Sequence, residues 1–173
     1  PESWSFTTAV CPCGLFAPAA SPAVASVGPG DPLELGVKFR SDAAGYVTGI
    51  RFYKGANNTG THVGSLWTST GTLLGSATFA NETADGWQQV SFATPVAISA
   101  NTTYVASYHA PNGGYAYDGG YFATATTRGP LRALASGEDG GNGVFRVGSG
   151  FPTETYNAAN YWVDVVFSTT VTP

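Results

Sequence analysis

The sequence predicts an all-β fold, an antiparallel β-sandwich of the jelly-roll type. Short segments alternate apolar and polar residues with a period of two, which is typical of strands that have one face in a core. Glycine and proline, 23 and 11 of the 173 residues, separate these segments as turn residues do. We find no long stretch with the apolar spacing of a helix. Regular short strands joined by turns indicate a sandwich or a jelly roll.

The clearest strand covers residues 33–39, in which every second residue from Leu33 to Phe39 is apolar. Residues 161–167 are almost entirely apolar, which predicts a central strand that is covered on both faces. Residues 111–120 are interpreted as a loop that exposes aromatic rings or as a weak strand. Further strands are predicted at 3–6, 46–53, 63–67, 73–79, 87–92, 102–109, 131–134 and 144–147, with an extended segment at 95–98.

The chain is predicted to form one domain with flanking segments. Residues 1–32 form an N-terminal strand and a long ordered loop of that domain, residues 33–167 form the sandwich, and residues 168–173 begin a linker. A start at Pro1 with no visible signal peptide suggests a piece of a longer protein. Only 10% of the residues are charged, against about 25% in an average globular protein. This composition suits a secreted protein that binds neutral ligands.

The charge pattern argues against two classes of partner. The net charge is −4, and the 7 basic residues are scattered, so a nucleic-acid groove is not expected. No run approaches the roughly 18 apolar residues of a membrane span. We expect a monomer whose partners are a glycan and the other domains of its parent chain.

The two cysteines, Cys11 and Cys13, flank Pro12. Residues two apart can bring their Cα atoms into the range that a disulfide tolerates, and secreted proteins retain such bridges. We therefore favour a Cys11–Cys13 disulfide. A thiolate pair that binds a metal and two buried free thiols remain as alternatives.

Enzymatic chemistry has little support in the sequence. The 11 acidic residues are spread thinly, mostly in turns, and neither a Gly-x-Ser-x-Gly elbow nor a phosphate-binding loop is present. A glycosidase needs two carboxylates that face each other, and the sequence leaves open whether two of them meet in space. We expect no catalytic residues and no required cofactor.

Five residues are candidates for contacting a ligand. His62 lies in the polar loop between two predicted strands, and His109 ends a later strand. They would share a ligand or metal site if both loops emerged at the same end of the sandwich; otherwise each satisfies a backbone group at a strand end. Tyr115, Tyr117 and Tyr121 lie beside glycines, and their rings either stack on sugars or pack within the loop.

A structural calcium ion is the metal that the sequence would accommodate. Calcium takes hard oxygen ligands, and glycine-rich loops supply backbone carbonyls. Asp42 is one candidate ligand, and Glu34 with Asp164 form another pair if their strands are neighbours.

Six segments together carry a resemblance to a known family. The chain resembles the bacterial module called domain of unknown function 4082 over roughly residues 33–167, and the Cys11-Pro12-Cys13 prefix resembles an extension that some members carry. The segments are LGVKFRSD at 35–42, GIRFYKG at 49–55, NTGTHVGSLW at 58–67, GWQQVSF at 86–92, NTTYVASYHAP at 101–111 and NYWVDVVF at 160–167.

The resemblance implies a module of secreted bacterial multidomain proteins, where the family recurs beside immunoglobulin-like, fibronectin-like and sugar-active domains. It implies carbohydrate binding by association and brings no assigned catalytic or binding residues. The expected function is a non-catalytic carbohydrate-binding module at the cell exterior. The alternatives are a structural or adhesive spacer without a small ligand and, with less support, a glycan-active enzyme.

Overall fold

The structure, a computed structural model, describes residues 11–171 and confirms the all-β prediction. The strand predicted at residues 3–6 lies outside the described residues. The strands are β1 (Val24–Val27), β2 (Leu33–Ser41), β3 (Gly45–Lys54), β4 (Val63–Thr68), β5 (Leu73–Thr78), β6 (Gly86–Ile98), β7 (Tyr104–Ala110), β8 (Tyr115–Tyr117), β9 (Thr126–Arg128), β10 (Leu131–Ala133), β11 (Val144–Val147), β12 (Glu154–Thr155) and β13 (Val163–Ser168), with one short 3₁₀ helix, Tyr121–Ala123.

The larger sheet has eight antiparallel strands in the order β12-β11-β2-β7-β4-β5, with β10 and β9 added beside β2. One edge of β2 pairs first with β11 and then with β10. Asn142 fills the gap between them, because its side chain accepts a hydrogen bond from the Lys38 amide at 2.8 Å and donates one to the Lys38 carbonyl at 3.0 Å. A buried asparagine thus replaces a missing stretch of strand.

The smaller sheet has three strands in the order β13-β3-β6. The two segments predicted at 87–92 and 95–98 form a single strand, β6, whose register against β3 shifts between Val47 and Gly49. The closing strand lies at the edge of this sheet rather than at its centre, so that part of the prediction is wrong. It begins at Val163 because Trp162 has a φ of 58°, outside the strand region.

The core lies between the inward faces of these two sheets. Val37 and Tyr108 of the larger sheet and Phe52 and Val165 of the smaller sheet are essentially inaccessible to solvent. The rings of Phe52 and Tyr108 stack with their centroids 4.1 Å apart. The structure therefore confirms a sandwich-like arrangement of antiparallel sheets.

Residues 11–20, here called the N-terminal strap, cover the outer face of the smaller sheet. Cys11 and Cys13 form the predicted disulfide. The Cys13 amide and carbonyl both bond to Phe167 at 2.8 Å, so the strap pairs with the free edge of β13. Leu15 and Phe16 of the strap are themselves buried. The strap covers the outward side of β13, where Asp164 is fully buried, although β13 is an edge strand.

A two-stranded sheet joins β1 to β8. β1 lies in a segment that the sequence predicts as loop, and β8 forms from the glycine-rich segment that is predicted as a loop or a weak strand. Tight packing holds β8 in place, because a Cβ at Gly114 would lie 2.5 Å from the Asn57 carbonyl oxygen and from the Asn58 Cα.

Candidate functional site

An aromatic groove of about 230 Å³ opens at the surface where β8 passes the larger sheet. Residues of β2, β8 and β11 and of the segment 156–161 form it. The groove, called the aromatic groove below, is lined by Leu33, Leu35, Tyr115, Phe145, Tyr156 and Tyr161.

Edge-to-face contacts fix the rings at the base of the groove. The Tyr161 ring lies 5.8 Å from that of Tyr115 and 6.2 Å from that of Phe145, measured between centroids, and both pairs are close to perpendicular. Tyr161 is 5% exposed, whereas Tyr156 is 63% exposed. The groove thus combines a rigid aromatic base with one ring that projects into solvent.

Two close backbone contacts position this base. Gly143 has a φ of 43°, and a Cβ there would overlap the carbonyl of Ala159, so only glycine permits the approach that brings β11 beside Tyr161. Asp118, directly after β8, exchanges two backbone hydrogen bonds with Asn160, at 3.0 and 2.9 Å. These contacts fix β8 and β11 on either side of the segment 156–161.

The aromatic groove is uncharged. None of its six lining residues is acidic or basic. Burial raises the pKa of the Tyr115 and Tyr161 hydroxyls above their ordinary value, so both stay protonated near neutral pH. The groove therefore presents flat apolar rings and neutral hydroxyl groups. These features match a neutral ligand with both apolar and hydroxyl-bearing faces.

The three predicted ligand-binding tyrosines are found in two places. Tyr115 lines the aromatic groove, and Tyr117 lies beside it with its ring 6.2 Å from that of Tyr161. Tyr121 instead packs against Phe16 and Trp162 under the N-terminal strap. The structure separates Tyr121 from the other two, and ligand binding by all three stays a prediction.

Three aromatic residues of the groove are absent from the sequence-based candidates: Phe145, Tyr156 and Tyr161. Phe145 and Tyr161 occur in segments that are predicted as strands, where an aromatic residue is interpreted as core. Tyr156 lies in a polar stretch between Pro152 and Asn160. This isolated aromatic residue is the one sequence feature that could have indicated the groove.

His62 is completely buried rather than displayed by its loop. Its Nδ1 lies 2.8 Å from Glu82 Oε1 and its Nε2 lies 2.7 Å from Asn58 Oδ1. Lys54 donates to the same Glu82 carboxylate at 2.8 Å. Burial lowers the pKa of His62, and Glu82 acts in the opposite direction. These contacts connect the loop 55–62 with the loop that carries Glu82.

His109 lies on the outer face of the larger sheet, opposite Glu34 and Val63 in register, whereas His62 points into the core. Its Nδ1 is 3.4 Å from Glu34 Oε2, without the alignment of a hydrogen bond. Burial raises the pKa of Glu34 to about 7 and lowers that of His109. Both shifts in pKa favour the neutral form of the side chain, so we describe this as a polar contact rather than an ion pair.

Glu34 also takes part in a buried hydrogen-bond chain. The Trp67 indole donates to the Ser107 hydroxyl at 2.8 Å, and that hydroxyl donates to Glu34 Oε1 at 2.6 Å. Phe151 packs on Trp67 with ring centroids 5.7 Å apart and so covers this cluster. Since Ser107 is bonded to Glu34 and not to His109, the arrangement differs from a nucleophilic serine activated by histidine.

The three candidate calcium ligands do not converge. Asp42 is exposed in the turn after β2. Glu34 belongs to the larger sheet and Asp164 to the smaller one, so the pair that was expected on neighbouring strands is separated. Within residues 11–171, no three His, Cys, Asp or Glu side chains are grouped as a metal site requires. Calcium binding stays an untested prediction.

Asp164 instead anchors the N-terminal strap. It is fully buried, and its carboxylate accepts hydrogen bonds from the Leu15 amide at 2.6 Å and from Arg51 Nη2 at 2.7 Å. Burial raises the pKa of Asp164, while Arg51 and the backbone amides oppose the shift. Its position on β13 therefore serves the packing of residues 11–20.

The fold and the groove define a class of protein, a β-sandwich module with an aromatic surface groove. A family model described as a domain of unknown function (DUF4082) matches residues 19–163, and the chain belongs to this family. The resemblance noted in the sequence is thereby confirmed. No curated protein matches the chain.

No helix within residues 11–171 has the length and apolar character needed to cross a membrane.

Proposed function

We propose that the protein is a non-catalytic carbohydrate-binding module of a secreted or cell-surface bacterial protein with several domains. The observation that carries the proposal is the aromatic groove, with three tyrosine rings and one phenylalanine ring around an uncharged depression of about 230 Å³. Its ligand would be a neutral polysaccharide.

The groove suits a sugar for physical reasons. One face of a pyranose ring carries mainly C–H groups, and these pack against the π face of an aromatic side chain. Tyr156 offers the most exposed ring, and Tyr115 and Tyr161 form the wall and base. Tyrosine hydroxyls at the rim would exchange hydrogen bonds with the sugar hydroxyls, which fixes the orientation of the ligand.

The composition of the groove supports binding without catalysis. Hydrolysis of a glycosidic bond ordinarily uses two carboxyl groups roughly 5 to 10 Å apart across the substrate. The six residues that line the groove include no Asp, Glu or His. Glu154, the register partner of Phe145, is exposed on the short strand β12.

The extracellular location is proposed on chemical grounds. Disulfides persist in oxidising compartments and are rare in a reducing cytosol. The Cys11–Cys13 disulfide and the low content of charged residues, 10%, are compatible with a module that works outside the cell.

Affinity electrophoresis against a panel of neutral polysaccharides tests the proposal, followed by calorimetry with the oligosaccharide of the best one. The variant Tyr156→Ala should weaken binding about tenfold, as expected for loss of one stacked ring. Because Tyr156 is 63% exposed, this change should leave thermal stability intact. Tyr115→Ala should weaken binding as well, with some loss of stability.

Tyr46→Ala is a matched control, since Tyr46 is a half-buried tyrosine of β3 that does not line the groove. Equal weakening by Tyr46→Ala and Tyr156→Ala would contradict the assigned site. Failure to bind any polysaccharide would favour the alternative, a structural or adhesive spacer domain.

A further inference from the structure

A second cleft, of about 150 Å³, lies on the outer face of the smaller sheet beside the Cys11–Cys13 disulfide. Arg51 of β3 and Gln89 of β6 contribute to it from the sheet, and Arg128 contributes from β9. Pro12, Phe16 and Pro18 of the N-terminal strap supply apolar walls. We call it the arginine cleft. Its lining shares no residue with the aromatic groove.

Arg51 is held rigidly in this cleft. The strand register places it between Asp164 on one side and Gln89 on the other. Its Nη2 donates to Asp164 at 2.7 Å, and its Cζ lies 4.4 Å from the centroid of the Trp87 ring. Within residues 11–171, no group accepts a hydrogen bond from its buried Nε. A fixed guanidinium therefore retains a donor that the protein does not use.

Arg128 adds a second positive charge. It is exposed, and its Nη1 donates to the Gly14 carbonyl at 3.2 Å. In the described part of the chain it makes no ion pair with a carboxylate, unlike Arg132 on the neighbouring strand, which pairs with Glu138. Because Asp164 balances the charge of Arg51, it is Arg128 that gives the cleft a positive charge, on a chain whose net charge is −4.

We propose that the arginine cleft binds the carboxylate of a small acidic ligand, with a uronic acid as the sugar of matching chemistry. Among the described residues, the lining of the cleft includes no acidic side chain, and the nearby Asp164 carboxylate is paired with Arg51, which reduces its repulsion of a bound carboxylate. Guanidinium groups form paired hydrogen bonds with planar carboxylates, and the Gln89 amide offers a further donor. The proline and phenylalanine walls reduce contact with water, which strengthens such bonds.

Titration of the ¹⁵N-labelled protein with D-glucuronate at constant ionic strength tests the proposal, with D-glucose as the uncharged comparison. We expect saturable shifts of the backbone amides of Gly14 and Gln89 with glucuronate and none with glucose. Arg128→Gln should weaken glucuronate binding about tenfold, because it removes a charged donor. Gln89→Glu should abolish it, because it brings a carboxylate into the cleft.

Arg132→Gln is the matched control, since it removes the same charge from an exposed arginine outside the cleft. It should leave glucuronate affinity unchanged. Equal weakening by Arg128→Gln and Arg132→Gln would show a general charge effect and overturn the proposal, as would equal shifts with glucose or no saturable binding.

The proposal does not depend on the function assigned to the aromatic groove. If Tyr156→Ala abolishes glucuronate binding while Arg128→Gln does not, the acidic ligand occupies the aromatic groove. That result would overturn the arginine cleft and leave the proposed function intact. Glucuronate binding that depends on Arg128, together with no binding of neutral polysaccharide, would support the arginine cleft and contradict the proposed function.

Discussion

Glu34 is the residue whose environment should govern how stability depends on pH. It is 3% exposed, and burial raises its pKa from 4.5 to about 7. The folded protein therefore holds a proton that the unfolded chain releases between these two values. The stability from this group is fully present below pH 4.5 and is lost as the pH rises through about 7.

We predict that Glu34→Gln removes this loss of stability at high pH, because the amide has the shape of the protonated carboxyl group and does not ionise. The variant and the unmodified protein should have similar free energies of unfolding at pH 5. At pH 8 the variant should be more stable by roughly 3 kcal/mol. Urea unfolding at several pH values measures the difference.

His62 and His109 act in the opposite direction, since their lowered pKa values weaken the fold as the pH falls below about 6.5. Both the variant and the unmodified protein contain His62, so its contribution cancels in the difference between their free energies of unfolding. Glu154→Gln, at an exposed glutamate, is the control and should show no pH-dependent gain. A stability difference that is constant from pH 5 to 8 would show that Glu34 is ionised in the folded protein throughout.

At the scale of elements, the N-terminal strap depends on one glycine. A Cβ at Gly14 would lie 2.6 Å from Asp164 Oδ2, the carboxylate that accepts hydrogen bonds from the Leu15 and Phe16 amides. Gly14 and Asp164 therefore act together, because the missing side chain allows the buried carboxylate to reach the backbone of the strap.

We predict that Gly14→Ala detaches the strap before the sandwich unfolds. Amide hydrogen exchange at Leu15 and Phe16 should become at least about tenfold faster, whereas exchange in β2 and β7 should change much less. Gly30→Ala is the matched control, because a Cβ at Gly30 would meet no atom within 4 Å. Uniformly faster exchange across both sheets would show instead that the strap is part of one cooperative unit.

At the scale of the whole molecule, the longer strands can be predicted from the sequence, whereas the groove and the short strands β1, β9 and β12 cannot. Residues 33–39 alternate because one face meets the core, and the observed β2, Leu33–Ser41, contains them. The groove joins Leu33, Tyr115, Phe145 and Tyr161, which are far apart in the sequence, so no local pattern identifies it.

His62 shows the same limit of prediction from the sequence. The loop 54–62 is polar and short of apolar residues, which indicates a solvated loop. The structure buries His62 because Asn58 and Glu82 satisfy its ring nitrogens, and Glu82 is 20 positions away. Sequence periodicity reports local strand faces, whereas the burial of a polar side chain depends on partners that the fold supplies.

The groove is assembled from distant segments, so a bound ligand should stabilise the molecule as a unit. A ligand that binds only the folded protein adds about 2.7 kcal/mol at a concentration 100 times its Kd. For a domain of 173 residues this corresponds to a rise in Tm of roughly 5–10 °C.

Differential scanning calorimetry with the oligosaccharide selected by affinity electrophoresis measures the rise. Tyr156→Ala, with about tenfold weaker binding, should reduce the rise to roughly half at the same ligand concentration. It should leave the Tm without ligand unchanged, since this ring is 63% exposed. A full rise in the Tyr156→Ala variant would show that the sugar binds elsewhere on the protein.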